Sequence, residues 1–131
     1  MKSAERNRVL IIDDDSSICE ILTEVLEDEN FAVKVLHAPA GIHEAIQEFR
    51  PDLFLIDYLI PDINGGEICH QLKSAENSKH LPVIMYSAHP RVLHSLGNYG
   101  WDLFVEKPFD IWDLVDKIKL CISNSKYRKS A

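Results

Sequence analysis

Pro51-Asp52-Leu53-Phe54-Leu55-Ile56-Asp57 is a short apolar run that closes on a single carboxylate. Unbroken apolar residues between charges fit a strand covered on both faces, as in a parallel sheet, and Pro51 marks its entry. Asp57 then stands where that strand leaves the core. Leu59 and Ile60 follow, and Pro61, Asp62, Ile63, Asn64, Gly65 and Gly66 form a turn ahead of a helix. A carboxylate at the carboxyl end of a parallel strand lies in the crevice where open α/β sheets place ligands. The same position also suits a turn or cap carboxylate.

The pattern recurs on either side. Val9, Leu10, Ile11 and Ile12 form a first strand that ends in Asp13, Asp14 and Asp15. Ser16 or Ser17 can cap the next helix, with Glu20 three residues after Ser17 as in a capping box, and Ile18, Ile21, Leu22, Val25 and Leu26 fall on one face. Phe31 to Leu36 alternates only in part, which suits a sheet edge. A helix over Gly41 to Phe49 turns Ile42, Ala45, Ile46 and Phe49 inward, and one from Gly65 or Gly66 turns Ile68, Cys69 and Leu72 inward. Leu81 to Tyr86 is a fourth strand, followed by Ser87 and Ala88, with Pro82 tolerated near its start. His89 to Gly97 gives a short, weak helix signal beside Pro90. Leu103, Phe104 and Val105 make a fifth strand before Glu106, Lys107, Pro108 and Phe109, and Asp110 caps a last helix whose apolar face runs from Ile111 to Ile122.

Strands alternating with helices predict an α/β fold: a doubly wound, five-stranded parallel sheet of order 2-1-3-4-5 with helices on both faces. The expected organisation is a frayed segment at 1–7, one domain over 8–123 and a basic, mobile tail at 124–131. At 131 residues, with 46% apolar and 27% charged residues, the chain suits one folded domain. It contains no apolar run long enough to cross a membrane and no signal-peptide pattern at its start, so a cytoplasmic location is expected. Cys19, Cys69 and Cys121 are too widely spaced for a disulfide framework or a metal site and read as reduced, mostly buried residues. A net charge of −7 disfavours nucleic acid and favours small cations or basic protein surfaces.

In a parallel sheet all the carboxyl ends lie on one edge, so Asp13, Asp14, Asp57, Ser87 and Lys107 converge. Clustered carboxylates repel unless a proton or cation neutralises them. Oxygen-only donors favour a hard ion such as Mg²⁺, with Mn²⁺ as an alternative. Carboxylate, hard cation, lysine and hydroxyl together suit phosphoryl transfer. Each group also has a plainer reading: one of the three aspartates as a helix cap, Ser87 as another, Lys107 as a solvated loop residue.

These pieces in this order resemble the receiver domain of two-component response regulators, in particular the stand-alone chemotaxis-regulator type, over roughly residues 8 to 123. The resemblance rests on Val9 to Asp14, on Asp57 within Leu-Ile-Asp-Tyr-Leu-Ile-Pro-Asp, on Asn64-Gly65, on Ser87-Ala88 and on Lys107-Pro108-Phe109. It implies that Asp57 accepts phosphorus from a phosphohistidine on a histidine kinase or histidine phosphotransfer protein. It further implies that Asp14, Asp57 and the Leu59 carbonyl bind Mg²⁺, with Asp13 acting mainly through a water. Ser87 and Lys107 would meet phosphoryl oxygens, and Phe104 would be the aromatic switch, although a strand aromatic there is also ordinary core. Leu59 and His89 would flank the path of the hydrolytic water and alter the lifetime of the acyl phosphate in a direction the sequence leaves open.

The chain departs from the family after strand 4. Fewer residues than usual separate Ser87 from Lys107, and Trp101 stands where a small residue is usual. The usual dimer and switch output are therefore in doubt, and a monomer is the default. On this reading output passes to a downstream protein target or a phosphorelay, with no nucleic-acid contact and no membrane insertion. Catalysis is confined to the chain's own phosphorylation and dephosphorylation. The rival is a phosphorylation-independent interaction module on the same fold. A small phosphohydrolase using Asp57 is a weaker third reading, because Leu59 occupies the place of a second acid.

Overall fold

In the computed structural model the described residues are 6–60, 64–87, 100–107 and 109–130, with side chains described as far as 125. The elements run β1 (Arg8–Ile12), α1 (Ser16–Asp28), β2 (Ala32–Leu36), α2 (Ile42–Phe49), β3 (Leu53–Asp57), α3 (Gly65–Ser74), β4 (Val83–Ser87), β5 (Leu103–Glu106) and α4 (Ile111–Ser130). The weak helix signal at 89–97, with His89 and Pro90, lies outside the described residues. So do 61–63 and Pro108.

All the strands are parallel, in the order β2-β1-β3-β4-β5. The central apolar runs need two covers because successive side chains leave a strand on opposite faces. On one face Val9, Ile11, Leu53, Leu55, Ile84 and Tyr86 pack with Leu22 and Leu26 of α1 and with Leu114 and Ile118 of α4. On the other face Leu10, Ile12, Phe54, Ile56 and Met85 pack with Ile46 of α2 and with Ile68 and Leu72 of α3. Each fully buried Leu, Ile or Phe contributes about 1.5–3 kcal/mol relative to an exposed one. That burial fixes where every strand ends. β2, the strand of partial alternation, is an edge strand without a fully buried residue.

Several local expectations change. Of the capping residues open at this helix start, Asp15 rather than Ser16 or Ser17 caps α1: its Oδ1 accepts from the Ser17 N–H at 2.9 Å and from the Ile18 N–H at 3.4 Å. A carboxylate serves the positive end of a helix at least as well as a hydroxyl. β4 begins at Val83, after Pro82, and reaches Ser87. α4 is helical through Ser130, past residue 123 where a polar tail was expected. Ile122 is buried, and Ser125 Oγ donates to the His80 carbonyl, which gives that turn partners in the body of the fold.

Two contacts set the loops. Gly65 opens α3 so close to β3 that an added Cβ would lie 2.6 Å from the Asp57 carbonyl oxygen and 2.8 Å from the Tyr58 Cα. At the opposite edge of the sheet, Lys73 Nζ at the end of α3 donates to the Leu81 carbonyl and to Asp102 Oδ2, both at 2.8 Å. Asp102 Oδ2 also accepts from the Val83 N–H at 2.8 Å, so one ammonium and one carboxylate join α3, β4 and the start of β5. Among the described residues no helix is long and apolar enough to cross a membrane.

Candidate functional site at the carboxyl edge of the sheet

Register brings the strand ends together. Ile12 pairs with Ile56, Asp57 with Tyr86 and Ser87 with Glu106, so the residues after β1 and β5 and at the ends of β3 and β4 share one edge. Asp13, Asp14 and Asp57 each offer a carboxylate oxygen, and these oxygens lie within 4.8 Å of one another. Asp13 is fully buried and Asp57 nearly so, while Asp14 is exposed. Lys107 Nζ sits 3.6 Å from Asp13 Oδ2 and 3.6 Å from Asp57 Oδ2. One ammonium thus faces two buried carboxylates, which leaves the cluster negative.

The electrostatics follow. Burial, and then the Asp13 carboxylate, push the Asp57 carboxyl up to about 6, against the lowering influence of Lys107 and of the Leu59 N–H. That N–H donates to Asp57 Oδ1 at 3.2 Å. Asp13 is held more closely: Oδ1 accepts from the Asp15 N–H at 2.9 Å and Oδ2 from the Tyr86 hydroxyl at 2.5 Å. Its backbone carbonyl accepts from Cys19 Sγ at 3.4 Å and from His37 Nδ1 at 3.0 Å. Burial and Asp13 push the Cys19 thiol up to about 11, so it stays protonated and unreactive at neutral pH.

Three acidic oxygens with no imidazole or thiolate among them can coordinate a divalent metal of the hard type. The donor set fits such an ion because a bound cation would offset the burial and the Asp13 repulsion that together raise Asp57.

The residues expected at the site are placed as follows. Asp13, Asp14, Asp57 and Lys107 come together. Ser87 is fully buried at the end of β4, next to the Asp57 partner Tyr86, and its carbonyl accepts from the Lys107 N–H at 2.8 Å. Leu59 is 46% exposed beside Asp57. Phe104 packs against the α2/α3 core with Trp101, their ring centroids 5.3 Å apart. His89 lies outside the described residues. Sequence reasoning missed Tyr86, which it named only as the end of the fourth strand, and His37. A tyrosine in an otherwise apolar strand is the available signal, because a buried hydroxyl needs a partner.

The doubly wound sheet with this acidic edge is the arrangement typical of phospho-accepting, metal-coordinating response regulators. Residues 9–119 match the response regulator receiver domain, and the chain belongs to that family. It is 35% identical over 116 residues to the DNA-binding response regulator MtrA of Mycolicibacterium smegmatis, an alignment covering 87% of this chain and 50% of that protein. The chain spans about half the length of the curated relatives it matches. Among solved structures it is similar to a putative response regulator from Chloroflexus aurantiacus, with a TM-score of 0.83 and 26% identity over 91% of this chain and 99% of that one. It is similar also to a CheY-like receiver domain protein from Methanospirillum hungatei, with a TM-score of 0.83 and 26% identity over 95% and 99% of the two chains.

Proposed function

We propose that the chain accepts a phosphoryl group from a phosphohistidine donor onto Asp57, in a Mg²⁺-dependent reaction, and signals through a protein partner or phosphorelay. The observation that carries this reading is the position of Lys107, 3.6 Å from both Asp13 and Asp57, at a three-carboxylate cluster. An Asp57 carboxylate oxygen forms a bond to phosphorus while the phosphorus–nitrogen bond to the donor imidazole breaks. With the donor's other ring nitrogen protonated, the products are an acyl phosphate and a neutral imidazole that keeps the electron pair of the broken bond. Asp14, Asp57 and the Leu59 carbonyl would hold the ion, with Asp13 reaching it through a water. Bound there, Mg²⁺ supplies positive charge for the carboxylates and for the phosphoryl oxygens.

The chain's own groups do the rest. The Leu59 N–H fixes one Asp57 oxygen, and burial excludes the bulk water that would solvate the nucleophile. On this reading Lys107 would exchange a carboxylate for a phosphoryl oxygen, and the Ser87 hydroxyl would take another. Phe104, half-buried beside Trp101, is the candidate switch whose inward turn would follow movement of Ser87. Leu59 and His89 are assigned to the lifetime of the acyl phosphate.

A histidine kinase or histidine phosphotransfer protein is the donor this chemistry asks for. The DNA binding in the name of the MtrA relatives belongs to proteins of which this chain spans half, and a charge of −7 assigns no DNA contact to the chain itself. The rival reading, an interaction module independent of phosphate, has no support in the cluster, since Asp13, Asp14, Asp57 and Lys107 are all retained. Incubation with Mg²⁺ and acetyl phosphate, followed by intact mass and peptide mapping, tests the proposal. One phosphoryl mass on Asp57, absent in Asp57→Ala, is expected. Label on another residue, or none, overturns it.

A further inference from the structure

We infer that Tyr86 is a positioning residue of the phosphoacceptor site, its hydroxyl setting the Asp13 carboxylate and its ring face seating the Lys107 ammonium. The inference rests on the reading of Asp57 as phosphoacceptor. Tyr86 is fully buried on β4 and pairs in register with Asp57. Its hydroxyl donates to Asp13 Oδ2 at 2.5 Å, while Asp13 Oδ1 accepts from the Asp15 N–H at 2.9 Å. Both oxygens of that buried carboxylate are therefore held by uncharged donors.

The need for this is electrostatic. Asp13 faces Asp57 and Asp14 across less than 4.8 Å, and a carboxylate free to rotate would swing away from its neighbours. A second cation could restrain it but would compete for the phosphoryl group. A phenol restrains it without charge. Hydrogen-bonded outer partners of this kind orient metal-binding carboxylates, so the hydroxyl preserves the geometry that an ion requires.

The ring does a separate task. Lys107 Nζ lies 4.5 Å from the Tyr86 ring centroid as well as 3.6 Å from Asp13 and Asp57. Lysine is a point charge on a flexible stem, and a ring face attracts it without fixing a direction. On that seat the ammonium can exchange a carboxylate for a phosphoryl oxygen while keeping one contact. Phe109 holds the ring itself, stacked at 5.7 Å with 19° between the planes. An aliphatic residue would fill the same space in the core and provide neither contact.

The test measures Mg²⁺ affinity by calorimetry, and the acetyl phosphate reaction rate as a function of Mg²⁺, for wild type, Tyr86→Phe and Tyr86→Leu. Tyr86→Phe keeps the ring: Mg²⁺ binding is expected to weaken by about tenfold, with the wild-type rate recovered at saturating ion. Tyr86→Leu loses both contacts and is expected to remain slow at saturation. In an Asp13→Asn background the Phe substitution is expected to weaken Mg²⁺ binding no further. Melting curves establish that each variant is folded, and the unbranched Tyr86→Met replaces the leucine variant if that one melts below the assay temperature. Wild-type affinity in Tyr86→Phe, or an equal loss in the Asp13→Asn background, overturns the role of the hydroxyl. Full recovery of the ring-deficient variant at saturation overturns the seat. A wild-type chain that binds no Mg²⁺ or takes no phosphate on Asp57 instead overturns the reading of the site, and this inference with it.

Discussion

The two faces of the sheet differ in kind. The face under α1 and α4 carries polar lines into its core: Tyr86 reaches Asp13, Cys19 donates to the Asp13 carbonyl, and Lys107 rests over the Tyr86 ring. The face under α2 and α3 has an apolar core of Leu, Ile, Val, Phe, Met and Ala side chains with Cys69 and Tyr58, and bears the Trp101–Phe104 pair at its β5 border. The acidic edge is thus supported electrostatically from one side and by shape from the other. Changes to the first face should move ion affinity and pH dependence, and changes to the second should move stability and output.

The largest expected effect is on the shape side. Gly65→Ala gains helix propensity of up to about 1 kcal/mol, but its methyl group meets main-chain atoms at 2.6 and 2.8 Å that no rotamer change can relieve. The clash wins, and urea denaturation should show a loss of about 1–3 kcal/mol. An unchanged midpoint would mean that α3 slides freely over the end of β3. The reverse pattern is expected on the electrostatic side. In the metal-free protein the folded Asp57 carboxyl titrates near 6, above its ordinary value of 3.8, so the folded state holds a proton that the unfolded chain has released. Below about pH 4 both states are protonated and the group is neutral in its effect on stability; as pH rises through 6 the folded state pays for a buried charge. The melting temperature of metal-free protein should therefore fall by about 5 °C between pH 4 and pH 7 relative to Asp57→Asn, and Mg²⁺ at pH 7 should restore it. Parallel curves for the two proteins would remove the charge from the account.

Smaller effects sharpen the contrast. Phe104→Ala should cost about 2 kcal/mol of packing and leave Mg²⁺ affinity unchanged, while abolishing any phosphorylation-dependent change in tryptophan emission that arises at Trp101. A fall in Mg²⁺ affinity in that variant would show the two faces to be coupled. Leu59→Asn, at an exposed position whose N–H already serves Asp57, should change only the rate of phosphate loss, towards faster loss because a carboxamide can hold a water. An unchanged rate would clear Leu59 of any part in the lifetime.

The fold was legible because its physics is local. Apolar runs such as Val9 to Ile12 and Leu53 to Ile56 require two covers, and the acid that ends each run marks the edge of the sheet. Partial alternation placed β2 at an edge for the same reason. The carboxylate cluster was legible as a set of strand ends, as was Lys107. What escaped depends on partners distant in sequence. The Tyr86 hydroxyl meets an aspartate seventy-three positions away, and nothing beside it in the chain records that contact. The turns of α4 after residue 123 look like a polar tail until Ser125 finds His80. Asp15 took the cap of α1 from two serines because a carboxylate competes well for the same N–H groups, a choice that composition alone leaves open.

The Lys73–Asp102 pair lies at the edge of the sheet remote from the carboxylates and ties α3, β4 and β5 at their shared base. Strands of four or five residues put that knot about 15 Å from the acidic edge. At that distance, beyond a Debye length, the pair adds little field to the acidic edge, so breaking it would loosen the base of the sheet without changing the charge balance among the carboxylates.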